Sequence, residues 1–312
     1  MIPDTNRVKQ ECVAASQISE SRANMLCPAC GRQWNPINVL NISVDAKAQP
    51  FGREGRFGDC LLYGRCSCGS LVAIDGRCDN QTIADLYRNL PPAYWKELSD
   101  QRKLATRLEP HLIKRHTGKV LWDLGCGTGT LLESLSGNWV KHGIEPGENA
   151  VASARARGLD VLCGTASSLC LRHVADVVTL IDVAEHLPNP LVEFRAIHNM
   201  LRPGGFLAVF TGDSSAWTAR IAGPLWYYLH CIGHVCIFSS SALVSCLSQA
   251  GFEGIEMFRM NHQAAVNIVP WFGRMSTNVA RRLLGKRPAP LHYCQDHQLV
   301  IAQKKPADRT DA

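Results

Sequence analysis

The stretch Val120-Leu-Trp-Asp-Leu-Gly-Cys-Gly-Thr-Gly129 constrains this chain more than any other. An apolar run ends in Asp123, glycines follow at alternate positions (Gly125, Gly127, Gly129), and an apolar-periodic segment begins at Leu131. That order predicts a buried strand, a loop almost bare of side chains, and a helix start. Such a backbone lets a bulky ligand approach and offers free N–H groups at the helix N-terminus. Glu145, in His142-Gly-Ile-Glu-Pro146, follows Gly125 by twenty residues, a suitable distance for the end of the next strand. A carboxylate there can accept both hydroxyls of a ribose, so the pattern predicts an adenosine-containing cofactor. Spacing narrows the choice. A dinucleotide fingerprint puts its third small residue one position later, where this chain has Thr130, so G-x-G-x-G suits a cofactor without a pyrophosphate.

The 312 residues suffice for one large α/β domain and a small accessory unit. The net charge of +6 is a mild excess spread along the chain, weak support for an anionic partner. Met1 to Glu20 is polar and mixed in charge, without the apolar centre of a signal peptide. The most apolar long stretch, Ile221 to Phe238, is interrupted by Pro224, His230 and His234 and is unsuited to span a membrane. Fourteen cysteines without a secretion signal point to reduced thiols or metal binding rather than a disulfide framework. The expectation is a soluble, cytoplasmic protein.

Residues 1–24 and 305–312 are read as flexible termini, 25–79 as a cysteine-containing module, 80–118 as a helical linker and 119–304 as the main domain. In the linker, Thr82 to Arg107 has a helical pattern interrupted at Pro91-Pro92. From Lys119 onward, strand-like segments (Val120–Leu124, Trp139–Ile144, Asp160–Cys163, Ala175–Ile181, Gly205–Thr211) alternate with helix-like ones (Thr130–Leu135, Asn149–Arg157, Leu191–Leu201). This alternation predicts a doubly wound α/β domain with a mostly parallel sheet and right-handed crossovers. A helix over Ser240–Ala250 and strands over Phe252–Met260 and His297–Gln303 complete the pattern.

Four ordered motifs then carry a resemblance: Asp123-Leu-Gly-Cys-Gly-Thr-Gly129, Gly143-Ile-Glu-Pro146, Asp176-Val-Val-Thr-Leu-Ile-Asp-Val-Ala-Glu-His186 and Leu201-Arg-Pro-Gly-Gly-Phe206. Over roughly residues 80–303 the chain resembles the class I S-adenosylmethionine-dependent methyltransferases of small-molecule or glycan type. The resemblance implies a Rossmann-like seven-stranded sheet whose last two strands form an antiparallel edge. It implies that Gly125, Gly127 and Gly129, with Cys126 between them, line the methionine and ribose of S-adenosylmethionine. Asp123 would support that loop or meet the methionine amino group. Glu145, followed by Pro146, would hold the ribose hydroxyls, and Asp182 would stand at the methyl end. Many relatives carry an acidic residue after the third strand to meet the adenine amino group. This chain has Gly164-Thr-Ala-Ser-Ser168, which leaves that contact to a hydroxyl or to backbone.

The reacting end falls beyond strand Asp176–Ile181, where Asp182, Glu185 and His186 turn polar, because ligands in open α/β sheets sit past the carboxyl ends of the strands. Positioning supplies much of the rate of a methyl transfer, and a hydroxyl acceptor benefits from a general base. His186 is suited by the near-neutral pKa of imidazole. Alternatively, Glu185 and His186 cap the Leu187-Pro-Asn-Pro190 turn. In ubiquinone-type O-methyltransferases a similar acidic-x-x-Glu-His pattern binds a divalent ion, and Asp182-x-x-Glu185-His186 fits that spacing. The Asn-Pro-Pro-Tyr motif of amino-methylating enzymes is absent here, which argues against that subclass; the resemblance implies oxygen as the first acceptor atom and carbon as the next. The aromatic insertion from Trp217 to Ser241 lies where this fold covers its acceptor, and His234 within it is either a second base or a satisfied buried histidine.

Cys27-Pro-Ala-Cys30-Gly31 has the form of a metal knuckle, with two thiolates around a turn that glycine permits. Cys66-Ser-Cys68-Gly69 supplies a second pair, as C-x-C rather than C-x-x-C. Together they resemble the zinc-ribbon module at the N-terminus of some bacterial methyltransferases, with Zn²⁺ on Cys27, Cys30, Cys66 and Cys68, or with Cys60 or Cys78 as substitutes. Cys163, Cys170, Cys231, Cys236, Cys246 and Cys294 lie on apolar segments and are expected in the core. The expected acceptor is a small molecule or glycan. Two rivals stand beside it. In one, RNA is methylated, with phosphates held by Arg53, Arg56, Arg65, Arg274, Arg281, Arg282, Lys286 and Arg287. In the other, the chain binds the cofactor and is catalytically silent. Trp271 to Lys286 is a solvated helix or a peripheral membrane contact.

Overall fold

The alternation of apolar runs and amphipathic segments produces two sheets. A computed structural model describes residues 26–33, 38–43, 60–75, 87, 100–114, 118–261, 273, 276–278, 280–281, 283–284 and 295–306. In chain order the elements are β1 (Val39–Ser43), β2 (Cys60–Arg65), β3 (Leu71–Ala73), α1 (Asp100–Ile113), β4 (Val120–Leu124), α2 (Thr130–Ser134) and β5 (Val140–Glu145). Next come α3 (Glu148–Ala156), β6 (Val161–Cys163), α4 (Ala166–Leu169), β7 (Ala175–Ile181), α5 (Pro190–Met200) and β8 (Leu201–Gly212). The chain continues through α6 (Trp217–Ala222), β9 (Cys236–Ile237), α7 (Ser240–Gln249), β10 (Glu253–Met260) and β11 (His297–Gln303).

The larger sheet has the order β10-β11-β8-β7-β4-β5-β6. Strands β6, β5, β4, β7 and β8 run parallel, and β11 pairs antiparallel with both β8 and β10. The observed mostly parallel, seven-stranded architecture is the expected one. Every residue of β7 is buried, as a central parallel strand covered on both faces requires, whereas edge strand β10 is largely exposed. Helix α5 starts at Pro190, where a missing N–H is harmless, and turns Phe194, Ile197 and Met200 inward at helical spacing. The strand order reverses between β4 and β7, which places a crevice at their carboxyl ends.

The smaller sheet, β1-β2-β3-β9, joins the cysteine module to the main domain. Leu71 and Val72 of β3 pair antiparallel with Ile237 and Cys236 of β9. Leu61, Tyr63 and Leu71 share one core with Trp226, Tyr228, Val235, Phe238 and Leu243. Sequence offered no sign of this pairing, because β9 is two residues long.

Two local expectations need correction, and one short helix had no expectation set against it. Helix α1 runs to Ile113 and contains Pro110, past the Arg107 end predicted for it; the earlier part of that linker lies mostly outside the described residues. The segment after β6 is a short helix, α4, held by a reciprocal cap between Thr165 and Ser168. Cys236 and Cys246 are buried as expected, but Cys163 and Cys170 are exposed, since each ends its element facing solvent; Cys294 lies outside the described residues.

Candidate active site

The glycine loop leaves β4 in a conformation that side chains resist. Gly125 has φ 68° and Gly129 has φ 84°. A Cβ on Gly125 would strike Val183 and one on Gly129 would strike Leu159, so both positions also need the space. The amides of Gly125 and Cys126 donate to the Ile144 carbonyl, at 2.7 and 3.2 Å, which folds the loop against β5. The Cys126 thiol turns inward against Gly143, away from the backbone of the three glycines.

Two buried carboxylates support this loop. Asp123 accepts the Thr179 hydroxyl at 2.7 Å, and burial pushes its pKa up to about 7, with Thr179 opposing and the Glu145 charge adding. Glu145 accepts the Gly127 amide through Oε2 at 2.9 Å and the Gly147 amide through Oε1 at 2.7 Å. Burial raises its pKa to about 7 as well, against both amide bonds. Each oxygen keeps a second lone pair to receive a hydroxyl. The Pro146 carbonyl faces the Cys163 thiol at 3.9 Å across the same turn. Thr165, Ser167 and Ser168 are engaged with one another and with Glu193.

Beyond β7, Asp182 takes φ 52°, a left-handed conformation unusual for a side chain other than glycine, and a 3-10 turn over Ala184–His186 follows. Val183, packed on Gly125, sets this turn against the glycine loop. Glu185 is fully buried and accepts the hydroxyls of Thr211 (2.7 Å) and Tyr228. Burial raises its pKa, with the neighbouring His186 opposing. His186 Nδ1 lies 2.8 Å from the Gly233 carbonyl, and His234 Nδ1 lies 2.7 Å from the Tyr228 carbonyl. A carbonyl only accepts, so both rings carry a proton on Nδ1 and turn Nε2 toward the carboxylate. The two Nε2 atoms converge on Glu185 Oε1, at 3.9 and 3.8 Å, with ring centroids 4.7 Å apart. One ligand atom from each of Glu185, His186 and His234 lies within 4.8 Å of the others.

The structure thus brings together Glu185, His186 and His234, which sequence had proposed separately from two segments. It adds Thr211 and Tyr228, which orient the carboxylate, and Tyr87. The Tyr87 ring stands edge-on to His186 at 5.6 Å, its hydroxyl borders Gly233, and its carbonyl borders Gly147 in the Glu145 turn. Tyr228 had a sequence signal, as part of the aromatic insertion. Tyr87 had none beyond a helical pattern.

The four predicted cysteines also meet. Each knuckle closes on a left-handed glycine, Gly31 (φ 70°) and Gly69 (φ 90°), with the amides of Gly31 and Gly69 donating to Cys27 and Cys66. The four Sγ atoms lie within 4.8 Å of one another, with Cys30 and Cys66 at 3.8 Å. Four sulfurs about 2.3 Å from one centre form a tetrahedron with edges of about 3.8 Å, the spacing of the Cys30–Cys66 pair. The Cys27 thiol holds the Cys68 thiolate down to about 4, and burial raises Cys30 to about 11. Cys60 pairs through its backbone with Ser43 at the start of β2, and Cys78 lies outside the described residues.

The model of a family described as a methyltransferase domain matches residues 94–257, more than half of the chain. This chain belongs to that methyltransferase family. The chain is 29% identical over 149 residues to a ubiquinone biosynthesis O-methyltransferase of Sodalis glossinidius, a match that spans 42% of this chain and 60% of the relative. The corresponding Idiomarina loihiensis protein is 26% identical over 209 residues, 62% of this chain and 79% of that one. The chain therefore spans only part of the curated relatives it matches. Among solved structures, a SAM-dependent methyltransferase from Thermotoga maritima superposes with a TM-score of 0.51 at 19% identity, covering 72% of this chain and all of that one. An Archaeoglobus fulgidus SAM-dependent methyltransferase gives 0.50 at 15%, covering 69% and 100%. The fold of this family member is the Rossmann-like methyltransferase fold.

Of the arginines proposed for RNA, Arg65 is half-buried and donates to the Gly69 carbonyl at 2.8 Å, tying the second knuckle instead of facing outward. Arg53, Arg56, Arg274, Arg282, Lys286 and Arg287 lie outside the described residues. Among the described residues no helix is long and apolar enough to cross a membrane. Leu283 and Leu284 are exposed, and most of the Trp271–Lys286 segment is outside the described residues.

Proposed function

We propose that this methyltransferase-family member transfers the methyl group of S-adenosylmethionine to a hydroxyl oxygen of a small-molecule acceptor. The observation that carries the reading is the convergence of two imidazole Nε2 atoms on the buried Glu185, at the strand ends where the fold opens its crevice. The glycine loop, with Asp123 behind it, would receive the methionine and ribose of the donor, and Glu145 would accept the ribose hydroxyls. Asp182 and Val183 join that loop to the reacting end. The acceptor oxygen attacks the methyl carbon in line, the C–O bond forms as the C–S bond breaks, and the products are a methyl ether and S-adenosylhomocysteine. The hydroxyl proton passes to Nε2 of His186 or His234, and Glu185 stabilises the imidazolium that results. Backbone carbonyls on both Nδ1 atoms fix the receptive tautomer, and Tyr228 and Thr211 fix the carboxylate. The names of the curated relatives support oxygen as the acceptor atom.

A second reading rests on the same convergence. Histidines that donate Nδ1–H to a carbonyl and aim Nε2 at a carboxylate form a donor set for a divalent cation. When bound, such a cation would lower the pKa of the acceptor hydroxyl. In the cysteine module, Cys27, Cys30, Cys66 and Cys68 would hold a structural Zn²⁺, in keeping with their spacing and with the depressed Cys68. The direct test is formation of S-adenosylhomocysteine from S-adenosylmethionine and a panel of phenols, catechols and sugars, with and without a chelator. Turnover on a hydroxyl acceptor that is lost in Glu185→Gln supports the reading. Turnover only on amines or RNA overturns it.

A further inference from the structure

The segment that carries His234 is held from the N-terminal module at several points. Tyr63 of β2 is fully buried, and its hydroxyl donates to the His234 carbonyl at 2.9 Å. The Ala73 amide donates to the Val235 carbonyl at 2.9 Å, and the Val235 amide donates to the Glu185 carbonyl at 2.8 Å. Val235 thus stands as a rung between the module and the reacting turn. Pairing of β3 with β9 continues the contact through Cys236 and Ile237, and the Ser239 hydroxyl donates to the Cys68 carbonyl at 2.6 Å. Strand β2 leads straight into Cys66, so Tyr63 and the second knuckle lie on one continuous hydrogen-bonded segment. Gly233 and Cys231, on the other side of His234, belong to a turn with no strand of its own.

We infer that Tyr63 is a positioning residue for the reaction: through its hydrogen bond to the His234 backbone, the cysteine module sets where the His234 imidazole meets Glu185. The inference rests on His234 acting at the reacting end, as proposed above. Its physical basis is the short lever. One backbone carbonyl separates the Tyr63 hydroxyl from the residue whose Nδ1 must stay on the Tyr228 carbonyl for Nε2 to face the carboxylate. A displacement of about 1 Å in such a group is enough to lower a rate up to a hundredfold. The module is therefore part of the working site, a role distinct from that of an appended binding domain.

The test compares Tyr63→Phe, His234→Gln and the double variant, each with its kcat, KM, pH profile and affinity for S-adenosylhomocysteine. Tyr63→Phe is expected to lower kcat about tenfold, comparable to one lost hydrogen bond, and to move the acidic limb of the kcat profile. KM for S-adenosylmethionine and the S-adenosylhomocysteine affinity should stay unchanged. In the His234→Gln background the same substitution should have no further effect. An equal fractional loss in both backgrounds overturns the inference, because it would show a general loss of structure. If His234→Gln retains full kcat, the reading of His234 itself fails. If His234→Gln is impaired and Tyr63→Phe is not, only the positioning role fails. Imidazole ¹⁵N resonances give a readout independent of turnover. Tyr63→Phe should shift those of His234 and leave those of His142 in place, and Ser239→Ala, at the other end of the brace, should shift them the same way. An unmoved His234 resonance in both variants contradicts the inference.

Discussion

The Glu145 carboxylate and the Gly127 amide lie 2.9 Å apart, and through this bond the turn after β5 holds the glycine loop after β4. The second oxygen of Glu145 takes the Gly147 amide, so one side chain fixes both edges of the expected cofactor cradle before any ligand arrives. Orientation by two amides comes with desolvation, and the raised pKa of this carboxylate is the sign of it.

Glu145→Gln places an amide donor opposite one of two backbone donors and removes the charge that strengthens hydrogen bonds to ribose. Calorimetry should show the affinity for S-adenosylhomocysteine falling by about ten- to a hundredfold, the equivalent of ~1.5–3 kcal/mol for hydrogen bonds to a charged group. Unchanged affinity would show that the ribose is held elsewhere.

The pH dependence follows from the same burial. Asp123 and Glu145 titrate at about 7 when folded and near 3.8 and 4.5 otherwise, so between those limits the folded chain binds more protons. Their contribution to stability is complete below about pH 4 and is lost as pH rises to about 7. A ligand that needs Glu145 ionised works against a smaller penalty at higher pH. The melting temperature of the unliganded protein should carry a downward term from these groups across pH 4.5–7, and the increase produced by S-adenosylhomocysteine should be larger at pH 8 than at pH 6. An increase that is larger at pH 6 would contradict this assignment.

For the cysteine cluster, metal analysis of protein purified without chelator should give one zinc per chain. Cys68→Ser should reduce that content and lower the melting temperature by several degrees, because the metal ties two knuckles that share a core with the main domain. Protein that is metal-free and equally stable would leave the four thiols as packing residues alone.

At the reacting end, Glu185→Gln keeps the shape but removes the charge facing two imidazoles. We expect kcat to fall by about a hundredfold, within the range of acid–base contributions, while S-adenosylhomocysteine binds as before. A fall in cofactor affinity with intact kcat would place Glu185 in the donor site instead.

Local pattern made the larger sheet legible because its strands are long apolar runs separated by amphipathic helices. The Asp123–Gly129 loop and Glu145 were legible because chemistry fixes their residue types at fixed spacing. The reacting end was visible only in pieces. His186 and His234 lie on segments far apart in sequence, and nothing local to either shows that both Nδ1 atoms are bound by carbonyls. The small sheet was hidden, since β9 is too short to carry a period and gains its strand form from β3. Tyr63 and Tyr87 read as ordinary core and helix residues; their significance comes from which carbonyl or ring lies next to them. The exposed Cys163 and Cys170 show the converse, where apolar neighbours in sequence did not bring burial.

The central claim is that a methyl donor lies between Glu145 and the Glu185–His186–His234 group, and a crystal structure with S-adenosylhomocysteine tests it most directly. Both ribose hydroxyls are expected on the Glu145 carboxylate, with the sulfur directed toward the Nε2 atoms of His186 and His234. A ribose away from Glu145, or a sulfur facing away from those two rings, would contradict it.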